Sequence, residues 1–126
     1  MEYVAIVATL ALAELVWFGV LTGQARSKYG VEAPAVTGHP IFERYFRVQQ
    51  NTLEQIVPFL PALFLFGHYV SGPIGAALGV IWLGGRVVYL RAYVADPDKR
   101  GLGFGLTAIP TLVLILGSLI GAVVAL

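Results

Sequence analysis

The sequence contains no cysteine and very little charge. Without a thiol the chain cannot form a disulfide, a thiolate nucleophile or a thiolate metal site, so any sulfur chemistry must come with a ligand. Only 12% of the 126 residues are charged, whereas 58% are hydrophobic, and this charge is roughly half that of a typical globular domain. A soluble protein this small needs a charged surface because little of its chain can be fully buried. The composition therefore predicts a membrane protein.

Several other function classes are disfavoured by what is missing. The formal net charge is only +1, without the basic excess that binds a phosphate backbone, so no nucleic-acid partner is expected. The two histidines, His39 and His68, are not at metal-ligand spacing from one another, and no metal site is predicted. No phosphate-binding glycine loop or serine nucleophile elbow is present.

The charged residues divide the chain into apolar segments. Residues 55–85 and 101–126 contain no charged side chain, and Ser71-Gly72-Pro73 marks a turn inside the first of these stretches. A bilayer core needs about 20 helical residues. A secretory signal is the alternative for the first segment, which lacks a basic start and has a longer apolar stretch than is usual for such signals. We predict a single all-α domain over residues 1–126, a bundle of four transmembrane helices with spans at 3–23, 39–70, 74–95 and 104–126.

The basic residues of the connections predict the orientation of this bundle. Arg26 and Lys28 lie between the first two spans, and Lys99 and Arg100 lie between the last two. Neither the Ser71 turn nor either terminus carries Lys or Arg. By the positive-inside rule, the first and third connections face the cytoplasm and both termini face away from it. The polar end of the protein is therefore predicted to be cytoplasmic.

The second span begins with a polar stripe. Glu43, Arg47, Asn51 and Glu54 follow the spacing i, i+4, i+8 and i+11, which places them on one helical face. Such groups at membrane depth face a bundle interior or a wet cavity, where they are paired or form a site. An intrahelical Glu43–Arg47 pair at a solvated helix end is the alternative for the first two residues. This alternative leaves Asn51 and Glu54 unexplained because they lie further along the helix and deeper in the membrane.

The third span carries a second, sparser stripe. Arg86, Tyr89 and Tyr93 lie on one face, and Arg100 follows seven residues after Tyr93. Two phenols and two guanidinium groups on one stripe can hold a polyanion. The alternatives are an interfacial aromatic belt for the tyrosines and an ordinary positive-inside loop residue for Arg100. Because Pro97 can end or kink the helix, the sequence leaves open whether Arg100 continues this face.

Glu14 is an acidic residue near the middle of the first span. With the predicted topology it lies at the depth of Arg86, and an isolated charge there would be costly. We therefore expect a buried Glu14–Arg86 ion pair, with Glu54 as the competing partner of the same arginine.

The polar motifs resemble a known family. The second span reads Glu-Arg-x-x-Arg-x-Gln-x-Asn-x-x-Glu and is followed by Pro, and a later Arg-x-x-Tyr-x-x-x-Tyr is followed by Arg. This pattern, over residues 26–104, resembles the MAPEG family of membrane-associated proteins in eicosanoid and glutathione metabolism. The resemblance implies a four-helix subunit in a homotrimer. It also implies that glutathione binds between neighbouring subunits near the cytoplasmic helix ends.

The resemblance also implies roles for eight residues of this chain. The positions that hold glutathione from one subunit match Arg47, Asn51, Glu54, Tyr89 and Tyr93. Those contributed by the neighbouring subunit match Arg26 and Gln49, and the catalytic arginine at the thiol matches Arg100. Arginines can pair with the tripeptide carboxylates and Glu54 with its ammonium group. A cation beside the sulfur favours thiolate over thiol.

The implied function is that of an integral-membrane glutathione transferase with glutathione as co-substrate. Its thiolate would be conjugated to hydrophobic electrophiles that arrive from the membrane lipid, a detoxification reaction. Glutathione peroxidase activity toward lipid hydroperoxides is a further expectation. Gln55 and Ser27 stand where the leukotriene synthase of the family carries a tyrosine and a second arginine, which argues against a leukotriene-specific enzyme.

Two alternatives remain open from the sequence. The first is a non-catalytic, lipid-binding member of the same family, although such members lack the arginine found here at Arg47. The second is a small proton-coupled multidrug exporter that uses the membrane carboxylate Glu14. An exporter would not explain the polar stripe of the second span or Arg100.

Overall fold

Four long helices make up nearly all of the protein. The computed structural model describes all 126 residues, with α1 at Glu2–Tyr29, α2 at Pro40–Tyr69, α3 at Gly72–Ala95 and α4 at Gly101–Val124. A short 3-10 turn, Pro97–Lys99, joins α3 to α4. Helices α2 and α3 form the centre of the bundle, since each packs against the other and against both α1 and α4. The predicted all-α four-helix fold is confirmed.

The surface of the bundle suits a lipid environment. The segments Glu2–Tyr29, Gly72–Ala95 and Pro97–Val124 are long and apolar enough to cross a membrane. Large hydrophobic side chains such as Val16, Ile74 and Ile109 are exposed on the outside of these helices. Helix α2 has 30 residues, or about 45 Å at 1.5 Å per residue, and is therefore also long enough to cross a bilayer core. It is less apolar than the other three helices because its first half carries the polar stripe.

Local sequence signals set the helix ends. The ring nitrogen Nδ1 of His39 accepts a hydrogen bond from the Ile41 N–H at 3.1 Å, and Pro40 follows it at the first position of α2. In the same way, the Ser71 hydroxyl accepts from the Ile74 N–H at 3.2 Å and caps α3. The turn between α2 and α3 is therefore the one that the sequence indicates.

Helix α1 extends further than hydropathy suggests. Its predicted span ends at residue 23, but the helix continues to Tyr29 and stops at Gly30, which adopts the left-handed conformation with φ 67°. Arg26 and Lys28 therefore lie in the last helical turn of α1, not in the connection that follows it. Hydropathy located the end of the apolar stretch, whereas the glycine locates the end of the helix.

The main apolar core fills the half of the bundle that contains the start of α1 and the second half of α2. Phe59 of α2 stacks on Trp82 of α3 with ring centroids 4.3 Å apart, and both side chains are fully buried. A second, smaller cluster around Phe18, Val48 and Tyr89 lies towards the other half. The polar groups lie at the other end of the bundle. This end is formed by the C-terminal ends of α1 and α3 and the N-terminal ends of α2 and α4, and it is called the polar end below.

Helices α3 and α4 approach so closely that their backbones touch at Gly103. A Cβ atom at this position would lie 2.5 Å from the Tyr89 nitrogen and 2.6 Å from its Cα. We predict that Gly103→Ala pushes the two helices apart and lowers stability by about 1–3 kcal/mol. The matched control is Gly105→Ala, because a Cβ there would meet nothing within 4 Å. Equal melting temperatures for the two variants in detergent would contradict this prediction.

Candidate functional site

A polar cavity of about 400 Å³ lies between α2 and α3 at the polar end. Its walls are mostly polar and are supplied by α2, α3 and the residue that precedes α4: Arg47, Gln50, Asn51, Glu54, Tyr89, Tyr93 and Arg100. All the site residues expected from the sequence are present here except Arg26 and Gln49, and Gln50 is an addition. The two polar stripes and the loop arginine therefore meet in one place.

The α2 wall of the cavity carries charges that have no partner in the chain. Arg47 and Glu54 are exposed, and the only ion pair in the protein joins the N-terminus to Glu2. The Glu43 carboxylate accepts a hydrogen bond from the Gly38 N–H at 3.3 Å instead of pairing with Arg47. The alternative of a Glu43–Arg47 pair is therefore wrong, and both cavity charges are available to a ligand.

The α3 wall consists of two stacked phenol rings. Tyr89 and Tyr93 have ring centroids 5.5 Å apart and an interplanar angle of 20°. The Tyr89 ring also packs on the guanidinium carbon of Arg86, 4.4 Å from the ring centroid. Because both rings line the cavity, the alternative that they form an interfacial aromatic belt is not needed.

Arg86 lies beneath this cavity and is fully buried. Its Nη2 donates to the Asn51 amide oxygen and to the Thr52 hydroxyl, both at 2.8 Å. Its Nε donates to the same hydroxyl at 3.2 Å, and its Nη1 donates to the Thr107 hydroxyl at 3.3 Å. One guanidinium thus joins α2, α3 and α4 and fixes the orientation of the Asn51 amide at the cavity.

The two threonines can act as acceptors because their own protons are used elsewhere. The Thr52 hydroxyl donates to the Val48 carbonyl at 2.8 Å, and the Thr107 hydroxyl donates to the Gly103 carbonyl at 2.9 Å. Each oxygen then presents a lone pair to Arg86. Sequence reasoning missed both residues because a threonine in an apolar helix gives no signal by itself.

The expected ion pair between Glu14 and Arg86 is wrong. No carboxylate lies within 4 Å of the Arg86 guanidinium, neither that of Glu14 nor that of Glu54. Hydroxyl and amide oxygens satisfy the cation without bringing a second charge into the membrane interior, where desolvating two ions is costly. One of the carboxyl oxygens of Glu14 is buried without a hydrogen-bond partner.

This unpartnered carboxyl group makes Glu14 a liability for stability. We predict that Glu14→Gln is neutral or raises the free energy of unfolding by about 1 kcal/mol, because it removes a carboxyl group that the fold leaves without a hydrogen-bond partner. The measurement is thermal unfolding in detergent, with Glu32→Gln in the exposed connection between α1 and α2 as the control. A lower melting temperature for Glu14→Gln than for the control would show that the carboxylate is paired.

Arg100 reaches the cavity through a folded loop and not by continuing the face of α3. Helix α3 ends before Pro97, as its sequence suggests, and Asp96 accepts a hydrogen bond from the Asp98 N–H at 3.1 Å. Arg100 is exposed, and its Nη1 donates to the Pro97 carbonyl at 2.9 Å. The question left open by the sequence is answered, since the loop returns Arg100 to the side of the tyrosines.

Arg26 and Gln49 lie outside the cavity of their own chain. Arg26 donates through Nη1 to the Ala35 carbonyl at 2.7 Å, and its guanidinium carbon lies 4.7 Å from the centroid of the Phe42 ring. Gln49 faces α1, where its Nε2 lies 3.5 Å from the position of a Cβ built on Gly19. In a single chain, neither residue contributes to the site.

Comparison with known proteins identifies the class of this membrane bundle. The sequence matches the MAPEG family over residues 4–120. The chain belongs to this family, and it is an integral membrane protein.

Several individual proteins are similar over most of the chain. Microsomal glutathione S-transferase 2 from Homo sapiens is 39% identical over 116 residues, which cover 91% of this chain and 79% of that protein. An uncharacterized protein from Synechocystis is 43% identical over 116 residues, covering 92% and 85%. Leukotriene C4 synthase from Cavia porcellus is 32% identical over 102 residues, covering 79% and 68%.

Proposed function

We propose that this protein is an integral-membrane glutathione transferase that binds glutathione in the cavity between α2 and α3. The observation that carries the proposal is that unpaired charges of both signs line one cavity. Arg47 and Arg100 supply the cations, and Glu54 supplies the anion. Glutathione carries two carboxylates, one ammonium group and a thiol, which is the complementary set. The similarity to microsomal glutathione S-transferase 2 supports this choice of ligand.

Each wall of the cavity has a role in this proposal. Arg47 pairs with a glutathione carboxylate and Glu54 with the ammonium group, as charge-assisted hydrogen bonds. Asn51 binds the peptide backbone with an amide whose orientation Arg86 fixes. Tyr89 and Tyr93 supply hydroxyl groups from the opposite wall. These contacts hold the tripeptide so that its sulfur approaches Arg100.

Residues of an adjacent subunit complete the site in a homotrimer. Arg26 and Gln49 lie outside their own cavity, and the exposed polar face of α2 at Arg47, Gln50 and Glu54 is unsuited to lipid. A neighbouring copy that covers this face brings the second arginine to the ligand. The basic residues at the polar end support a site on the cytoplasmic side of the membrane. Mass measurement of the purified protein by light scattering tests the assembly.

The chemical step is a nucleophilic attack by the glutathione thiolate. The Arg100 cation beside the sulfur lowers the thiol pKa from about 8.5 for a free thiol. The sulfur then donates its electron pair to the electrophilic carbon, a sulfur–carbon bond forms, and the leaving group departs with the electrons of the broken bond. The electrophile reaches the site from the bilayer. With a lipid hydroperoxide the same thiolate attacks a peroxide oxygen, the O–O bond breaks and the lipid alcohol leaves. A second glutathione then reduces the sulfenic acid formed on the first, which yields glutathione disulfide and water.

The test uses purified protein in detergent. Glutathione is titrated while thiolate absorbance and calorimetric heat are followed, and conjugation of 1-chloro-2,4-dinitrobenzene is then measured. Binding, a rise in thiolate absorbance and conjugation are the expected results, and cumene hydroperoxide as the second substrate tests the peroxidase reaction. Absence of both binding and conjugation would reject the proposal.

The same titration distinguishes the two alternatives. Binding without thiolate formation or conjugation would favour a non-catalytic member of the family. An exporter would show no glutathione binding and would depend on Glu14, which does not line the polar cavity. Each class of protein therefore gives its own pattern of results.

A further inference from the structure

The end of α3 is where the segment that carries Arg100 begins. The helix ends at Ala95 because Asp96 adopts an extended conformation, with φ −158° and ψ 109°. The Asp96 N–H makes the last helical hydrogen bond, to the Ala92 carbonyl at 2.8 Å. The next residue, Pro97, has no N–H group to donate. The last carbonyls of α3 must therefore find other partners.

The backbone that follows does not supply these partners. The Asp98 N–H donates to the Asp96 carboxylate at 3.1 Å, and the Lys99 N–H donates to the Asp96 carbonyl at 2.9 Å. Both donors are thus used inside the loop. The carbonyl oxygens of Val94 and Ala95 receive no backbone hydrogen bond.

Arg44 of α2 fills this gap from fifty residues away. Its Nη1 donates to the Val94 carbonyl at 2.9 Å and to the Ala95 carbonyl at 3.3 Å. Helix α3 has no basic residue in its own last turn. A cation at a helix C-terminus also interacts favourably with the helix dipole. Arg44 is therefore a C-terminal cap that one helix provides for another.

This cap links the α2 wall of the cavity to the segment that carries Arg100, the two parts of the site whose relative position matters. Arg44 lies one turn before Arg47 on α2, and the segment that starts at the cap reaches Arg100 after five residues. Arg100 is tied back to that segment through the Pro97 carbonyl. Arg44 itself does not line the cavity. Its contacts therefore act on the loop and not on a ligand.

We propose that Arg44 is a positioning residue, which holds the end of α3 against α2 and thereby keeps Arg100 at the cavity. This inference rests on the proposed function, because it assigns Arg100 the thiol of bound glutathione. Without the cap, two carbonyl oxygens lose their partner, and the segment 96–100 is attached to α2 less firmly. Arg100 then spends less time beside the sulfur, while the walls formed by α2 and α3 remain.

The experiment compares Arg44→Gln and Arg44→Lys with Arg91→Gln. Arg91 is an exposed arginine of α3 that makes no side-chain hydrogen bond, so its removal controls for the loss of charge. For Arg44→Gln we expect kcat to fall about tenfold, since small misplacements of a catalytic group are costly. We expect the glutathione Kd to change by less than about threefold, because only the thiol step depends on Arg100. Arg91→Gln is expected to match the wild type.

Two further measurements follow the position of the loop directly. The thiolate absorbance of bound glutathione should fall in Arg44→Gln, and the amides of residues 98–100 should exchange with deuterium faster. Arg44→Lys keeps the cation and should restore part of both signals. If Arg44→Gln does not fold, the same comparison is made with Arg44→Lys. The kcat and the thiolate absorbance of Arg44→Lys are then expected to be lower than those of the wild type but not abolished.

The possible failures can be told apart. Wild-type kcat and thiolate absorbance in Arg44→Gln would overturn the inference while leaving the proposed function intact. Equal losses of affinity and kcat, with faster exchange throughout all four helices, would assign Arg44 a general structural role and would also overturn it. If the wild-type protein itself forms no glutathione thiolate, the proposed function fails, and with it the role given to Arg44.

Discussion

Arg100→Ala is expected to abolish the thiolate absorbance of bound glutathione and to lower kcat/KM by about 100-fold, the usual cost of removing a group that stabilises developing or stored charge. The glutathione affinity should stay within about threefold of the wild type, because Arg47, Asn51 and Glu54 remain in place. The reason is electrostatic, since Arg100 is the cavity cation expected at the sulfur. The measurements are absorbance titration and steady-state kinetics with 1-chloro-2,4-dinitrobenzene.

Lys99→Ala is the control for this variant. Lys99 is the neighbouring exposed cation of the same loop, and it does not line the cavity. It should retain both the absorbance and the rate. If Arg100→Ala keeps the thiolate signal, Arg100 has no part in activating the thiol, whatever its effect on the rate.

Arg86→Ala is expected to have the largest effect on stability, with a loss of about 3–5 kcal/mol in the free energy of unfolding. The variant removes hydrogen bonds to oxygen atoms of Asn51, Thr52 and Thr107 and leaves a space where a buried side chain was. Three helices lose their common contact at once. Glutathione affinity should fall as well, because the Asn51 amide is no longer oriented.

Arg86→Met is the informative comparison because it keeps most of the side-chain volume. It should be less destabilising than Arg86→Ala, and the difference between the two measures the packing contribution. Unfolding is followed by heating in detergent and by titration with dodecyl sulfate. A stability of Arg86→Ala within about 1 kcal/mol of the wild type would contradict the central role given to this arginine.

Much of the fold follows from the sequence because charge and hydropathy report directly on lipid exposure. The four helices were expected for this reason, and turn signals such as Ser71 and Pro97 fixed two of their boundaries. The end of α1 was placed too early, because Arg26 and Lys28 are polar and yet remain helical. Polarity marks where the apolar surface stops, whereas the helix stops at Gly30, a C-terminal glycine that the sequence also contains.

The walls of the cavity were also readable, since helical spacing puts Arg47, Asn51 and Glu54 on one face. The position of Arg100 beside these residues could not be predicted from the sequence, because it depends on a loop whose path is set by contacts distant in sequence. The predicted partner of Arg86 was wrong for a similar reason. A buried cation was assumed to need a buried anion, but the hydroxyl groups of Thr52 and Thr107 are sufficient. Neutral acceptors leave no charge pattern in a sequence.

The extra length of α1 has a consequence for the assembled site. Arg26 lies three residues past the predicted end of the first span, and the helix itself runs six residues past it to Tyr29, or about 9 Å at 1.5 Å per residue. An arginine on a flexible connection would lose backbone freedom when it closed on a ligand, at about 1–2 kcal/mol for each residue ordered. Carried on a helix that Gly30 terminates, Arg26 is already ordered before the proposed ligand binds. The helical extension thus preorganises the proposed contribution of the neighbouring subunit.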